Sequence, residues 1–215
     1  MDREPVEMPM FPLESVLLPN ETLPLRIFEP RYTALVRHCM ECERPRFGVV
    51  LISRGREVGG GDERSDVGTL ATITEYVDGG SGRYALRCRI GERIRVRQWL
   101  PDDPFPRARI QSWPDEPGLP VTAAQLHDVE DRVLALFERI AAVRGVELPD
   151  RDVLFDYPRD SGDRSNTLYA LAARVPMGPA DRYAVLAAPS AADRLAALLE
   201  AVDSVTAMVE FQLSD

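Results

Sequence analysis

The first grouping in this sequence that could do chemistry is Cys39-Met40-Glu41-Cys42, a C-x-x-C pair with His38 beside it. Such a pair serves disulfide exchange when it opens a helix, where the dipole favours thiolate, and serves zinc when further ligands lie elsewhere. Apolar residues at Tyr32, Leu35, Val36, Cys39 and Met40 follow one helical stripe, so Cys39 and Cys42 are expected at the closing end of a helix, where the dipole opposes thiolate. Only Cys88 and His127 remain to complete a metal site. Three cysteines without an export signal read as reduced thiols, and neither a metal nor a cofactor is expected.

The remaining chemical candidates weaken in the same way. Gly59-Gly60-Gly61, within the charged stretch 54–66, could cradle phosphate only with a helix start behind it, and Val67 to Ile73 reads instead as a strand, so a hairpin loop is expected. Asp78-Gly79-Gly80-Ser81-Gly82 falls short of a nucleophile elbow because Arg83 stands where the last glycine belongs. His127 sits beside Asp128, Glu130 and Asp131 on an expected helix surface. All 26 basic residues are arginine, which excludes a Walker A lysine, a Ser–Lys dyad and a Schiff-base lysine from this chain. No catalytic set emerges, and the chain is expected not to be an enzyme.

Arginine is patterned rather than scattered. From Arg83 to Arg109, Tyr84, Leu86, Cys88 and Ile90, then Ile94, Val96 and Leu100, alternate with arginines at period two. The stretch holds eight arginines against Glu92, Asp102 and Asp103, in a chain of formal net charge −9. An outer sheet face bearing Arg87, Arg89, Arg93, Arg95, Arg97, Arg107 and Arg109 is expected. It is solvated or self-paired, or set against an acidic protein, or against RNA backbone; for RNA only Trp99 and Trp113 share its parity for stacking on bases.

The elements that position these residues begin with Phe11-Pro12-Leu13, Val16-Leu17-Leu18-Pro19 and Leu23-Pro24-Leu25-Arg26-Ile27-Phe28-Glu29-Pro30-Arg31-Tyr32. Pro12, Pro19 and Pro24 restrict the extended runs to edge or crossing strands, and Pro30 suits the first turn of the helix that follows. Together with Phe47-Gly48-Val49-Val50 and Val67-Gly68-Thr69, these blocks resemble the N-terminal, substrate-binding domain of the Lon protease family. The resemblance implies a PUA-like α+β fold: a β-rich pseudo-barrel with one embedded helix, then a small C-terminal helical bundle. It further implies the recognition part of Lon standing alone, without ATPase or peptidase modules. Unfolded or exposed protein segments would be the ligands, and an ATP-dependent protease or chaperone a partner. Arg26, Phe28, Glu29, Arg31 and Tyr32, in the most recognisable block, are the candidate polypeptide-binding residues, at a mouth between the two halves.

Phe47 to Ile52 is apolar throughout and reads as a strand buried on both faces. The character changes at the proline-rich joint 114–120, which separates a β-rich subdomain over 6–117 from a helical one over 120–212. Thr122 with Gln125 and Ser190 with Asp193 read as capping boxes opening two long helices, the first running to Gly145. Glu147 to Asp160 reads as an acidic loop, and Leu168 to Val175 as a short helix ended by Pro176. No run approaches a membrane span and residues 1–10 lack a signal-peptide pattern, so a cytoplasmic protein is expected.

Overall fold

A computed structural model describes residues 4–54, 63–156 and 164–214. The chain forms two compact units, residues 1–114 and 115–215. The first carries β1 (Val6–Leu13), β2 (Thr22–Ile27), α1 (Pro30–Met40), β3 (Arg46–Arg54), β4 (Glu63–Asp78), β5 (Tyr84–Leu100) and β6 (Arg107–Ser112). Strand order is β2-β5-β4-β3-β1-β6, and a further β5–β6 pairing closes five of the strands into a barrel, leaving β2 as an edge on β5. This is the expected α+β architecture with one helix embedded among the strands.

The prolines explain how β1 and β2 are used. β1 pairs antiparallel with β6 over Val6 to Pro9, then parallel with β3 over Met10 to Leu13. Each proline of this crossing strand therefore has a single ladder neighbour, which limits the donors it can forfeit. Period two along β1 sends its residues to two clusters. Phe11 and Leu13 join Leu23, Ile27, Tyr32, Leu35, Phe47 and Ile90, while Met8 and Met10 join Val50, Leu70, Ile94, Val96 and Ile110. Phe47 and Val49 face the first cluster and Val50 the second, so β3 is buried on both sides as expected. Gly68 of β4 lies against the Val49 carbonyl so closely that a Cβ would overlap it.

β5 is a single 17-residue strand. Its first half lies between β2 and β4, and its second half runs on to pair with β6. The glycine-rich residues 55–62, expected as a hairpin loop, lie outside the described residues, while Glu63 to Asp66 belong to β4.

The second unit contains α2 (Ala123–Arg144), α3 (Arg151–Leu154), α4 (Arg164–Ala172), α5 (Pro179–Ala187) and α6 (Ala191–Ser214), with α6 packed against α2, α4 and α5. Both capping boxes form: Gln125 N–H donates to Thr122 Oγ1 at 3.2 Å, and Asp193 N–H to Ser190 Oγ at 3.2 Å. Gly145 ends α2 in the left-handed conformation at φ 62°. The acidic segment after Glu147 departs from the expected loop. Residues 151–154 make one helical turn and Phe155 is buried behind it, held where Arg174 donates to the carbonyls of Leu154 and Asp156. Residues 157–160 of that segment lie outside the described residues.

Candidate functional site

Among the described residues of the first unit, the most exposed large apolar side chains, Phe28 and Val77, border one cavity beside β2. In register across three strands, Arg26 of β2 faces Ala85 of β5, which faces Val77 of β4. Alternation turns Leu23 and Ile27 into the core and leaves Thr22, Pro24 and Arg26 exposed. Ala85 is small, so the row has a hollow at its centre. A cavity of about 490 Å³ opens there, lined by Arg26, Phe28, Val77, Arg83, Tyr84 and Ala85. Phe28 is 67% exposed, Val77 66% and Tyr76 51%. Such a grouping of open apolar side chains marks an interaction site more often than a lone exposed leucine does.

One wall of the cavity is the β4–β5 turn. Gly80, Ser81 and Gly82 all have positive φ, Gly79 N–H donates to the Arg83 carbonyl at 2.8 Å, and Asp78 Oδ1 accepts from Gly80 N–H at 2.8 Å. Thr33 of α1 donates its hydroxyl to the Gly82 carbonyl at 2.5 Å, so the turn is tied to the helix. Near the same wall, Tyr84 and, less, the Asp78 charge raise the Arg37 guanidinium pKa above its ordinary value.

Of the five candidate binding residues, Arg26 and Phe28 line this cavity. Tyr32 does not present itself to a ligand: it is 4% exposed, stacked on Phe11 at 4.1 Å between ring centroids. The helical stripe of Tyr32, Leu35, Val36 and Cys39 carries it into the core. Glu29 and Arg31 pair with each other at 3.1 Å, and the Arg31 guanidinium lies over the Tyr32 ring at 4.5 Å. Val77, Arg83 and Ala85 were not singled out by the sequence, because the register that brings them to Phe28 joins positions some fifty residues apart. The one local signal was Tyr76-Val77, two adjacent apolar residues at a turn.

The arginines of the β5 and β6 strands differ in their surroundings, and several are paired within the protein. Arg93 is buried, with its guanidinium 4.3 Å above the Trp113 ring, and Arg95 lies 4.4 Å from the same ring. Arg93 and Arg95 keep the same parity, opposite Ile94 and Val96 in the core, and Arg93 is buried because Trp113, whose backbone N–H donates to the Arg93 carbonyl at 2.9 Å, covers that side of the strand. Arg87 pairs with Glu75, Arg107 with Glu7, and Arg97 donates to Gln111. Arg89 and Arg109 are exposed. Both tryptophan rings offered for base stacking are already covered by guanidinium groups, Trp99 by Arg64 at 4.9 Å.

Comparison with known proteins places these features in a family. The family model for the ATP-dependent protease La (LON) substrate-binding domain matches residues 7–204. The chain belongs to the Lon substrate-binding domain family. It is 28% identical over 146 residues to the Lon protease of Anaeromyxobacter dehalogenans, covering 67% of this chain and 16% of that one. It is 25% identical over 218 residues to Lon protease 2 of Thermus thermophilus, covering 97% and 25%. This Lon-type chain thus spans a quarter or less of the curated relatives named here. Among solved structures, the Lon N-terminal domain protein of Xanthomonas campestris superposes with a TM-score of 0.62 at 26% identity, covering 91% of this chain and 98% of that one. The N-terminal domain of the Mycobacterium avium complex Lon protease gives 0.60 at 16% identity, covering 92% and 98%, a likeness of fold.

Within this Lon domain the thiols and histidines form no reactive set. Cys39 and Cys88 are buried, and burial pushes both thiols up to about 12. Cys42, past the end of α1, is exposed and donates weakly to the His38 carbonyl. His127 on α2 lies among Glu130, Asp131 and Arg151, a surface ion cluster in which hydrogen bonding to Arg151 holds the Asp131 carboxyl below its usual range. Among the described residues no group of three or more His, Cys, Asp or Glu side chains could hold a metal, and no helix is long and apolar enough to cross a membrane.

Proposed function

We propose that this domain recognises exposed segments of unfolded protein without chemistry of its own, as an adaptor or chaperone-like factor serving an ATP-dependent protease. The observation that carries the reading is the open apolar cavity beside the unpaired β2 edge, with Phe28 standing at its rim. Extended polypeptide can add to a strand edge through backbone hydrogen bonds while a side chain enters an adjacent pocket. Arg26 and Phe28 make the first contacts; Glu29 and Arg31, paired beside them, form the polar rim; Tyr32 supports from the core.

The test is fluorescence anisotropy of a labelled, permanently unfolded polypeptide, reduced and alkylated, titrated with the protein and competed with structured RNA at low and moderate salt. Saturable binding that RNA does not displace is expected. Binding of RNA alone, lost steeply as salt rises, would overturn the proposal in favour of the arginine-bearing strands.

A further inference from the structure

The cavity beside β2 is charged as well as apolar. Arg26 and Arg83 both line it, both are exposed, and neither guanidinium has a hydrogen-bond or ion-pair partner among the described residues. Other arginines of this acidic chain, Arg64, Arg87, Arg107, Arg132, Arg139 and Arg194 among them, each find a carboxylate. No acid is among the residues that line the cavity; nearby, Glu29 pairs with Arg31 and Glu75 with Arg87, while Asp78 accepts from Gly80 N–H. Two cations with no direct ion-pair partner among the described residues therefore face an apolar hollow.

The backbone beside them is open too. Ile90 N–H donates to the Glu21 carbonyl at 2.9 Å, which sets the phase of the β2–β5 ladder. Leu23, Leu25 and Ile27 consequently turn their backbone groups to β5, and Thr22, Pro24 and Arg26 turn theirs outward. Pro24 sits where its missing donor costs the ladder nothing, and it leaves donors only at Thr22 and Arg26 on the outer edge. An edge interrupted in this way discourages sheet-to-sheet aggregation yet still accepts a short strand.

Building on the polypeptide-recognition reading above, we infer that this site selects short extended segments in which an aromatic or branched aliphatic residue is flanked by aspartate or glutamate. The segment adds to β2, its apolar side chain settles over Ala85 beside Phe28 and Val77, and its carboxylates meet Arg26 and Arg83. The chemistry follows from the two lining cations and from the lack of any acid among the lining residues. Basic segments are repelled by the same pair.

The experiment uses fluorescein-labelled nine-residue peptides with a common Leu-Phe-Val centre, flanked by Asp and Glu, by Asn and Gln, or by Arg, titrated with the full chain. Two exposed charge pairs give the acidic-flanked peptide about tenfold tighter binding than the amide-flanked one at low salt. About 0.5 M salt largely removes the difference, the Debye length there being roughly 4 Å. The double variant R26E/R83E is expected to reverse the order and favour the Arg-flanked peptide, R26Q/R83Q to abolish the preference, and Ala85→Trp to weaken all three by filling the hollow. Circular dichroism confirms folding, since Arg26 and Arg83 support no other side chain. Equal affinity for acidic and amide-flanked peptides, an order unchanged in R26E/R83E, or displacement of the peptides by a single-stranded RNA 20-mer overturns the inference. If unfolded polypeptide still binds in that case, only the charge selectivity falls; if neither polypeptide nor peptide binds, the recognition reading falls with it.

Discussion

Asp115→Ala should unfold the helical unit more readily than its modest change in volume suggests. Arg194 on α6 is 0% exposed, its Nη1 and Nη2 donate to Asp115 at 2.9 and 2.6 Å, and its guanidinium lies 4.1 Å from the Tyr169 ring centroid. Ser165 also donates to Asp115 Oδ2, at 2.5 Å, so one carboxylate joins the start of this unit to α4 and α6. Its removal leaves a fully buried cation whose Nε already has no partner. Breaking such a pair from one side costs about 3–5 kcal/mol, and the 26% exposure of the Asp115 side chain argues for the lower end. With a urea slope of about 1–1.5 kcal/mol/M for a unit of this size, the midpoint should fall by about 2 M. The assay is ellipticity at 222 nm, dominated by the five helices of the second unit, while Trp99 and Trp113 report the first. Asp115→Ala combined with Arg194→Met should recover most of the loss, because the buried charge goes with its partner. A single variant as stable as wild type, or a double variant worse than the single, would refute the assignment.

Phe28→Ala should leave the melting temperature within about 2 °C of wild type, because the side chain is exposed, yet weaken unfolded-polypeptide binding about fivefold or more by anisotropy. Tyr32→Ala should do the opposite first, costing about 3–5 kcal/mol in urea denaturation through the lost Phe11 stack and core contacts. Iodoacetamide on the native protein should add a single adduct by mass spectrometry, at Cys42, with Cys39 and Cys88 reacting only after denaturation. Their folded pKa of about 12 exceeds the unfolded value, so the folded state holds more protons in alkali; stability from the neutral thiols is complete below about pH 8.5 and is lost as pH climbs toward 12, seen as a falling urea midpoint. Gly68→Ala should destabilise the barrel strongly, since its Cβ meets backbone at Val49 that cannot rotate away.

Features with a local cause were readable in the chain. Pro30 at the start of α1, the Thr122–Gln125 and Ser190–Asp193 boxes and the Gly145 stop depend on neighbours within four residues, and each forms where its spacing indicated. Features that depend on register were not. Arg93 keeps the arginine parity found by counting, but Trp113, brought over it by the β5–β6 pairing, buries it. Phe28 could be singled out from its own block, whereas Ala85 and Val77 become its neighbours only through two strand pairings that no single segment encodes. α3 escaped notice because its four residues carry no apolar period; what fixes it is Arg174, twenty residues away in sequence, donating to the Leu154 carbonyl.

The way the cavity is held bears on how it could bind. Its floor is sheet, and its turn wall is tied to α1 through the hydrogen bond from Thr33 to the Gly82 carbonyl. A ligand therefore meets a shape already formed, and the ordering cost of association falls mainly on the extended segment rather than on the domain. The side chains at the rim, Arg26, Phe28, Val77 and Arg83, are exposed, while the core beneath them is built from Leu23, Ile27, Leu86 and Cys88. Selectivity and stability thus rest on opposite faces of the same strands. Changing the rim should alter which segments bind without disturbing the barrel, and changing the inward residues should unfold the barrel before it alters selectivity.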